Sequence, residues 1–370
     1  MKKLFKTKML CGLLLSAIVL SSCENNKEED PNPVTPIVEP TPVEYTNGVF
    51  VTCEGPFMTG TGTVSYYSRS NGTIYNDLFN SANSLPLGNL VQSMTISNSK
   101  GYVVVNNADK IEVVNSSNFK SLAKISGLSL PRYMLAVNAN KAYVSQWGSS
   151  GVGKGVRVVD LTNNTAGALI PAGNGPEKML QNGNLVYVVN SGGLDFDSTV
   201  TVINSNSDAV VANIVVGDNP NSIVMDKNGK IWVLCGGIID YVTPANGIPG
   251  KLVRIDPTSN TIEASFTFVS HSEHPLNLCT NTMKDKLYFL GNLYSLGSLY
   301  TMDITAGTLP TTPLINRNFY SLGIDPVTNQ IFAGYAPTFS SNGWVLRYSP
   351  AAALLDSFQV GIIPSGFCFQ

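Results

Sequence analysis

Along residues 45–370 apolar and polar positions alternate in short runs, and no stretch keeps a helical period. Alternation of this kind predicts half-buried strands. One alternating run carries an aromatic residue at the same slot each time it returns: Phe50, Tyr102, Tyr143, Tyr187, Trp232, Tyr288 and Phe332. The spacing is 41 to 56 residues. A second run follows each and ends on a residue whose side chain can accept hydrogen bonds from amides ahead of it: Ser68, Asn115, Asp160, Asn204, Asp256, Asp303 and Ser349. Such residues open tight turns. Four short strands per unit of about this length predict an all-β, seven-bladed β-propeller.

The two ends of the pattern predict how the ring closes. Val360-Gly361-Ile362-Ile363-Pro364-Ser365-Gly366-Phe367 matches Val216-Gly217-Asp218-Asn219-Pro220-Asn221-Ser222-Ile223, a crossing into an innermost strand, yet the chain stops just after it. The first repeat begins at its second strand, Gly48 to Cys53. The C-terminal strand is therefore expected to complete the first blade, hiding edges that an open ring would expose. Cysteines follow the repeat, Cys53 with Cys235 and Cys279 with Cys368. They read as small apolar strand residues. Cys53 and Cys368 would share the closing blade on a diagonal, which disfavours a disulfide.

The first 44 residues stand outside this pattern. Lys2, Lys3, Lys6 and Lys8 precede an apolar stretch from Leu10 to Leu20, too short to span a bilayer. It ends in Leu20-Ser21-Ser22-Cys23, which resembles the lipobox of bacterial lipoprotein precursors. Residues 1–22 are thus expected to be a signal peptide and Cys23 the lipid anchor. The alternative is a plain secretory signal with an incidental cysteine. Residues 23–44 are charged, then proline-rich, and read as a tether. Loss of residues 1–22 removes four lysines and no acid, taking the formal charge from −2 to −6. No basic footprint for nucleic acid remains. Lys27 followed by three acidic residues fits export to the outer face of an outer membrane.

Two motifs invite chemistry and fail on inspection. Residues 148–155 approach a phosphate-binding loop, but Gly155 stands where a hydroxyl must reach magnesium, and the segment joins two strands. His271 and His274 are the chain's two histidines, with no helix to present them and no third ligand nearby in sequence. A solvated loop is expected there. No catalytic constellation, metal site or cofactor is assigned, and the expectation is a binding protein and not an enzyme.

The loops are asymmetric. First-to-second and third-to-fourth strand connections are minimal turns around Asn140, Asn163, Asn228 and Ser259. The opposite face receives the longer loops and crossings, with Phe57, Trp147, Phe196, Tyr241, Tyr294 and Phe339 in the loops and Arg132, Tyr133 and Tyr320 in the crossings. Aromatic residues at loop tips offer contact area with a polar handle. The ligand-binding set is expected to be Arg132, Trp147, Phe196, Tyr241, Tyr294, Tyr320 and Phe339. The alternative is that these rings fold inward and plug the channel mouth.

The repeats resemble those of the YncE-type propellers. Val49-Phe50-Val51-Thr52-Cys53-Glu54-Gly55, Gln92-Ser93-Met94, Pro131-Arg132-Tyr133, Asn219-Pro220-Asn221-Ser222 and Arg347-Tyr348-Ser349-Pro350 are more closely similar to surface lipoprotein propellers of Bacteroidetes-type bacteria. That resemblance, to the BtuG type among them, implies capture of cobalamin or a related corrinoid at the cell surface. It also implies a TonB-dependent outer-membrane transporter as partner. A protein-binding or adhesion propeller is the alternative.

Overall fold

The structure, a computed structural model, describes residues 43–149, 153–271, 273–291 and 297–370. The signal peptide, Cys23, most of the tether and Tyr294 fall outside these ranges. Among the described residues 28 strands form seven four-stranded antiparallel sheets, the blades of a propeller. Six blades are built from consecutive strands. The first takes its innermost strand, Pro364–Phe369, from the C-terminus, where it pairs with Gly48–Cys53. The expected closure is what the chain does. Phe50 faces Cys368 in that register and Cys53 faces Pro364, so the two cysteines are not opposed, and both are free thiols. Burial pushes each thiol up to about 12.

The seven innermost strands are Val91–Ser97, Pro131–Ala136, Pro176–Asn182, Pro220–Met225, Leu276–Thr280, Ser321–Ile324 and Pro364–Phe369. Each packs against its two neighbours around the axis, and the last meets the first. Neighbouring inner strands are not paired through their backbones, so side chains bridge them. Ser93 Oγ donates to the Arg132 carbonyl at 2.7 Å, Asn221 Nδ2 to that of Pro275 at 2.8 Å and Asn277 Nδ2 to that of Tyr320 at 3.1 Å. Ser321 Oγ donates to the Pro364 carbonyl at 2.7 Å. Carbonyls that no ladder reaches are satisfied this way.

The hydrophobic core is divided among seven clusters, one in each wedge between successive blades. Each wedge holds one aromatic of the repeating slot, and all seven are buried. Phe50 fills the wedge between the first two blades; Phe332 fills the one between the last and the first. Polar ends of these rings reach the turns: Tyr187 Oη donates to Asn260 Oδ1 at 2.7 Å and Trp232 Nε1 to Asp226 Oδ2 at 2.8 Å. The turn residues act as their chemistry predicts. Asn115, Asp160, Asn204, Asp256 and Asp303 each accept from the amide two residues ahead at 2.7–3.0 Å.

Two features depart from the strand pattern. The outer strand of the first blade is only Ile74–Tyr75, and a helix, Leu78–Asn83, follows it. Leu78 and Phe79 of that helix are buried in the first wedge. The histidine segment is not simply a solvated loop: His274 is buried, with Nδ1 2.7 Å from the Gly236 carbonyl, and His271 Nδ1 lies 2.6 Å from that of Gly247. Both rings hold the loop of residues 236–250 in place through Nδ1.

Candidate functional site

Register shifts mark the entry of the inner strands. In the strands starting at Val91, Pro131, Pro176, Pro220 and Leu276 the ladder to the next strand slips within the first residues, and the closing strand slips between Pro364 and Gly366. A bulge re-aims side chains. Gln92, Arg132, Tyr133, Glu177, Lys178, Asn221, Leu276, Asn277 and Ser365 all line one cavity at the mouth of the channel. Its volume is about 290 Å³, and Glu54, Trp147, Ser191 and Tyr320 complete its wall. Gln92, Tyr133, Lys178, Asn277 and Ser365 also line a second cavity of about 390 Å³ in the channel below. The two make a funnel opening on the face of the long loops.

Two charged clusters organise the mouth. Arg132, from the third blade, donates from Nε to Glu177 Oε1 of the fourth at 2.7 Å and from Nη1 to Gln92 Oε1 of the second at 2.5 Å. Its guanidinium carbon lies 4.0 Å from the centre of the Trp147 ring. Burial acts to lower the Arg132 pKa, but the Glu177 charge and hydrogen bond, with the charges of Tyr133 and Glu54, together more than offset it, so the group is held above its ordinary value. Opposite, Tyr320 Oη donates to Glu54 Oε1 at 3.0 Å. Burial raises the Glu54 carboxyl above the ordinary glutamate range, although the Tyr320 hydrogen bond and the Arg132 charge pull it down. The Tyr320 phenol is pushed well above its ordinary value by burial and by the Glu54 charge, and Tyr133 by burial and Glu177. Both phenols remain donors at neutral pH.

Glycines permit this geometry at two places. Gly55, at φ +82°, turns the chain directly after Glu54, where a Cβ would lie 2.4 Å from the Thr61 carbonyl oxygen. Gly175, at φ +56°, sits against Gly193, where a Cβ would fall 2.0 Å from the backbone nitrogen. That close approach seats the 192–193 turn beneath Trp147. The Trp147 indole N–H is shielded from solvent and has no acceptor among the described residues.

Of the expected set, Arg132, Trp147 and Tyr320 come together at the mouth. Phe339 stands edge-on to Tyr320 with ring centres 6.0 Å apart, 52% exposed. Phe196 and Tyr241, 58% and 72% exposed, are not among the residues of the cavity wall. Tyr294 lies outside the described residues. Trp147 and Tyr320 turn inward, as the plugging alternative has it, while the cavity between them stays open. Glu54, Gln92, Glu177, Lys178, Asn221, Asn277 and Ser365 escaped the sequence reading. The signal for several was there: a proline followed by two outlying side chains recurs as Pro131-Arg132-Tyr133, Pro176-Glu177-Lys178, Pro220-Asn221-Ser222 and Pro275-Leu276-Asn277.

Fold and site define a seven-bladed β-propeller with a polar funnel on its long-loop face. The chain belongs to the family described as "Domain of unknown function (DUF5074)", which it matches over residues 47–359. No curated protein matches it. Among solved structures it is similar to a quinonprotein alcohol dehydrogenase-like protein from Bacteroides thetaiotaomicron, with 17% identity, a TM-score of 0.64, and 88% of this chain and 79% of the other covered. It is also similar to the periplasmic gluconolactonase of Pseudomonas aeruginosa, with 11% identity, a TM-score of 0.60, and 86% and 98% covered. A third is the Kuenenia stuttgartiensis hydrazine synthase, with 14% identity, a TM-score of 0.61, and 74% and 88% covered. At these identities the likeness is one of fold.

Proposed function

We propose that this chain is a surface ligand-capture lipoprotein, anchored at Cys23 to the outer membrane, and that its ligand enters the funnel on the long-loop face. The observation that carries the reading is the convergence of Glu54, Arg132, Trp147 and Tyr320, from three parts of the ring, on one cavity already organised by hydrogen bonds. Concave sites with a few fixed polar groups beneath apolar contact area are how proteins hold small molecules. A corrinoid, the class implied by the resemblance, would rest its body on the exposed rings and send one polar edge group into the mouth.

The same reading takes the site as binding without catalysis. The channel thiol, Cys279, has its pKa raised by burial and lies 3.5 Å from the Leu322 carbonyl, and both histidines are engaged with backbone carbonyls. Equilibrium dialysis of cyanocobalamin against the full chain tests the proposal. Saturable retention of one ligand per chain is expected; retention no greater than that of an unrelated protein would overturn the corrinoid assignment.

One observation favours a protein partner on the same face. Phe57, Met58, Leu194, Phe196, Tyr241 and Val242 are exposed on its loops. Apolar tips ringing a ligand mouth suit a docked protein, and a TonB-dependent transporter is the partner that would take the ligand onward. Co-purification with such a transporter, lost when Phe57, Leu194 and Tyr241 are changed to Ser, is the expected result.

A further inference from the structure

The funnel is lined by four charged side chains, Glu54, Arg132, Glu177 and Lys178. Three of them are engaged. Arg132 and Glu177 form an ion pair at 2.7 Å, and the Glu54 carboxyl accepts the Tyr320 hydroxyl at 3.0 Å. Lys178 forms no ion pair among the described residues, and its ammonium stands 5.9 Å from the centre of the Tyr133 ring. It lines both the mouth and the channel below, reaching toward Cys279 two blades away, whose thiol feels its charge. Around it stand the Tyr133 phenol, the Asn277 amide and the Ser365 hydroxyl, groups that can donate. The channel wall brings no carboxylate besides those already spoken for. A cation with no ion-pair partner among the described residues, set in a channel beside neutral donors, is matched by an anion.

We propose that the channel beneath the mouth seats an anionic group, a carboxylate or a phosphoryl group, with Lys178 as its counter-ion and Tyr133, Asn277 and Ser365 as neutral donors. This rests on the capture reading and adds the chemical class of what the funnel selects: a ligand with one anionic arm directed down the propeller axis. Lys178 enters the inner strand of the fourth blade directly after Glu177, and the bulge there turns both side chains to the funnel, one to be neutralised by Arg132 and one left for the ligand.

The test is a thermal melt of the full chain titrated separately with inorganic phosphate and with succinate, ionic strength held constant with sodium chloride. At least one anion should raise the midpoint saturably. Stabilisation by phosphate alone would assign a phosphoryl arm, and by succinate alone a carboxylate arm. Lys178→Met should weaken the apparent affinity by about thirty-fold or more, the loss typical when one partner of a charged pair is removed. Lys178→Arg should retain it, and Lys251→Met, outside the funnel, should bind as the parent does. The proposal is overturned if neither anion stabilises the parent beyond chloride, or if Lys178→Met and Lys178→Gln respond as the parent. The anion probes are measured without cyanocobalamin, so their failure would leave the dialysis result to decide the capture reading by itself.

Discussion

At Glu54 burial and hydrogen bonding act in opposite directions on one carboxyl, and burial prevails. A carboxyl whose folded-state pKa lies above its unfolded value stabilises the fold through its neutral form. That contribution is whole below the ordinary glutamate range, near pH 4, and is lost as the pH rises through the raised value. Glu54→Gln keeps an acceptor for the Tyr320 hydroxyl and cannot ionise. Its thermal midpoint should gain on the parent as the pH is raised from about 4 to about 8, and melts across that range check it. A constant difference would mean that the carboxyl titrates as if exposed. Among the mouth residues, Arg132, Trp147 and Tyr320 were legible because large side chains stand out in crossings and loops. Glu177 and Lys178 were not, since adjacent opposite charges in a strand ordinarily alternate between its two faces. The bulge after Pro176 breaks that alternation, and only the return of the same proline at Pro131, Pro220 and Pro275 marks it in the sequence.

Strands and turns are set by local chemistry, and the sequence shows them well. The seven aromatic slots and the side-chain-capped turns follow from alternation and turn residues that need no distant partner, and the closing strand from its match to residues 216–223. What lies between blades is less visible. The short helix at Leu78–Asn83 and the histidines that pin residues 236–250 answer to neighbours far away in the chain. Closure has a second element that spacing could not reveal. Arg69, in the turn before the outer strand of the first blade, donates from Nε and Nη2 to the two carboxylate oxygens of Asp325 in the last blade at 2.7 and 3.0 Å. Its Nη1 donates to the Gln370 carbonyl at 2.5 Å. Side-chain exposures are 9% and 0%. Arg69→Ala strands a buried carboxylate and should cost about 3–5 kcal/mol in denaturant unfolding, with Arg69→Ala/Asp325→Ala recovering part of the loss. Deleting Pro364–Gln370 removes both this contact and the inner strand of the first blade. Aggregation or a large fall in thermal midpoint is expected. A truncated chain that melts with the parent would mean the ring does not depend on that strand.

As a whole the molecule divides its stability and its recognition between different places. Seven wedges, each shared by two blades, hold the ring, while the axis is left polar and open on one face. The proposed anchor gives the ring its location: Cys23→Ala should release the protein from membranes or leave it as precursor, and fractionation would show it. A variant still processed and membrane-bound would contradict the lipid anchor. The central claim is that the long-loop face captures the ligand, and one comparison tests it most directly. Cyanocobalamin is titrated calorimetrically into the parent, into a Trp147→Ala/Tyr320→Ala/Phe339→Ala variant, and into a variant with Asn140, Asn163, Asn228 and Ser259 changed to Ala on the opposite face. Buried anchors at a binding surface typically cost about 2 kcal/mol or more each on truncation, so the account predicts no detectable heat for the mouth variant and parental affinity for the other. No heat from the parent, or binding that survives at the mouth variant and fails at the opposite-face one, would contradict it.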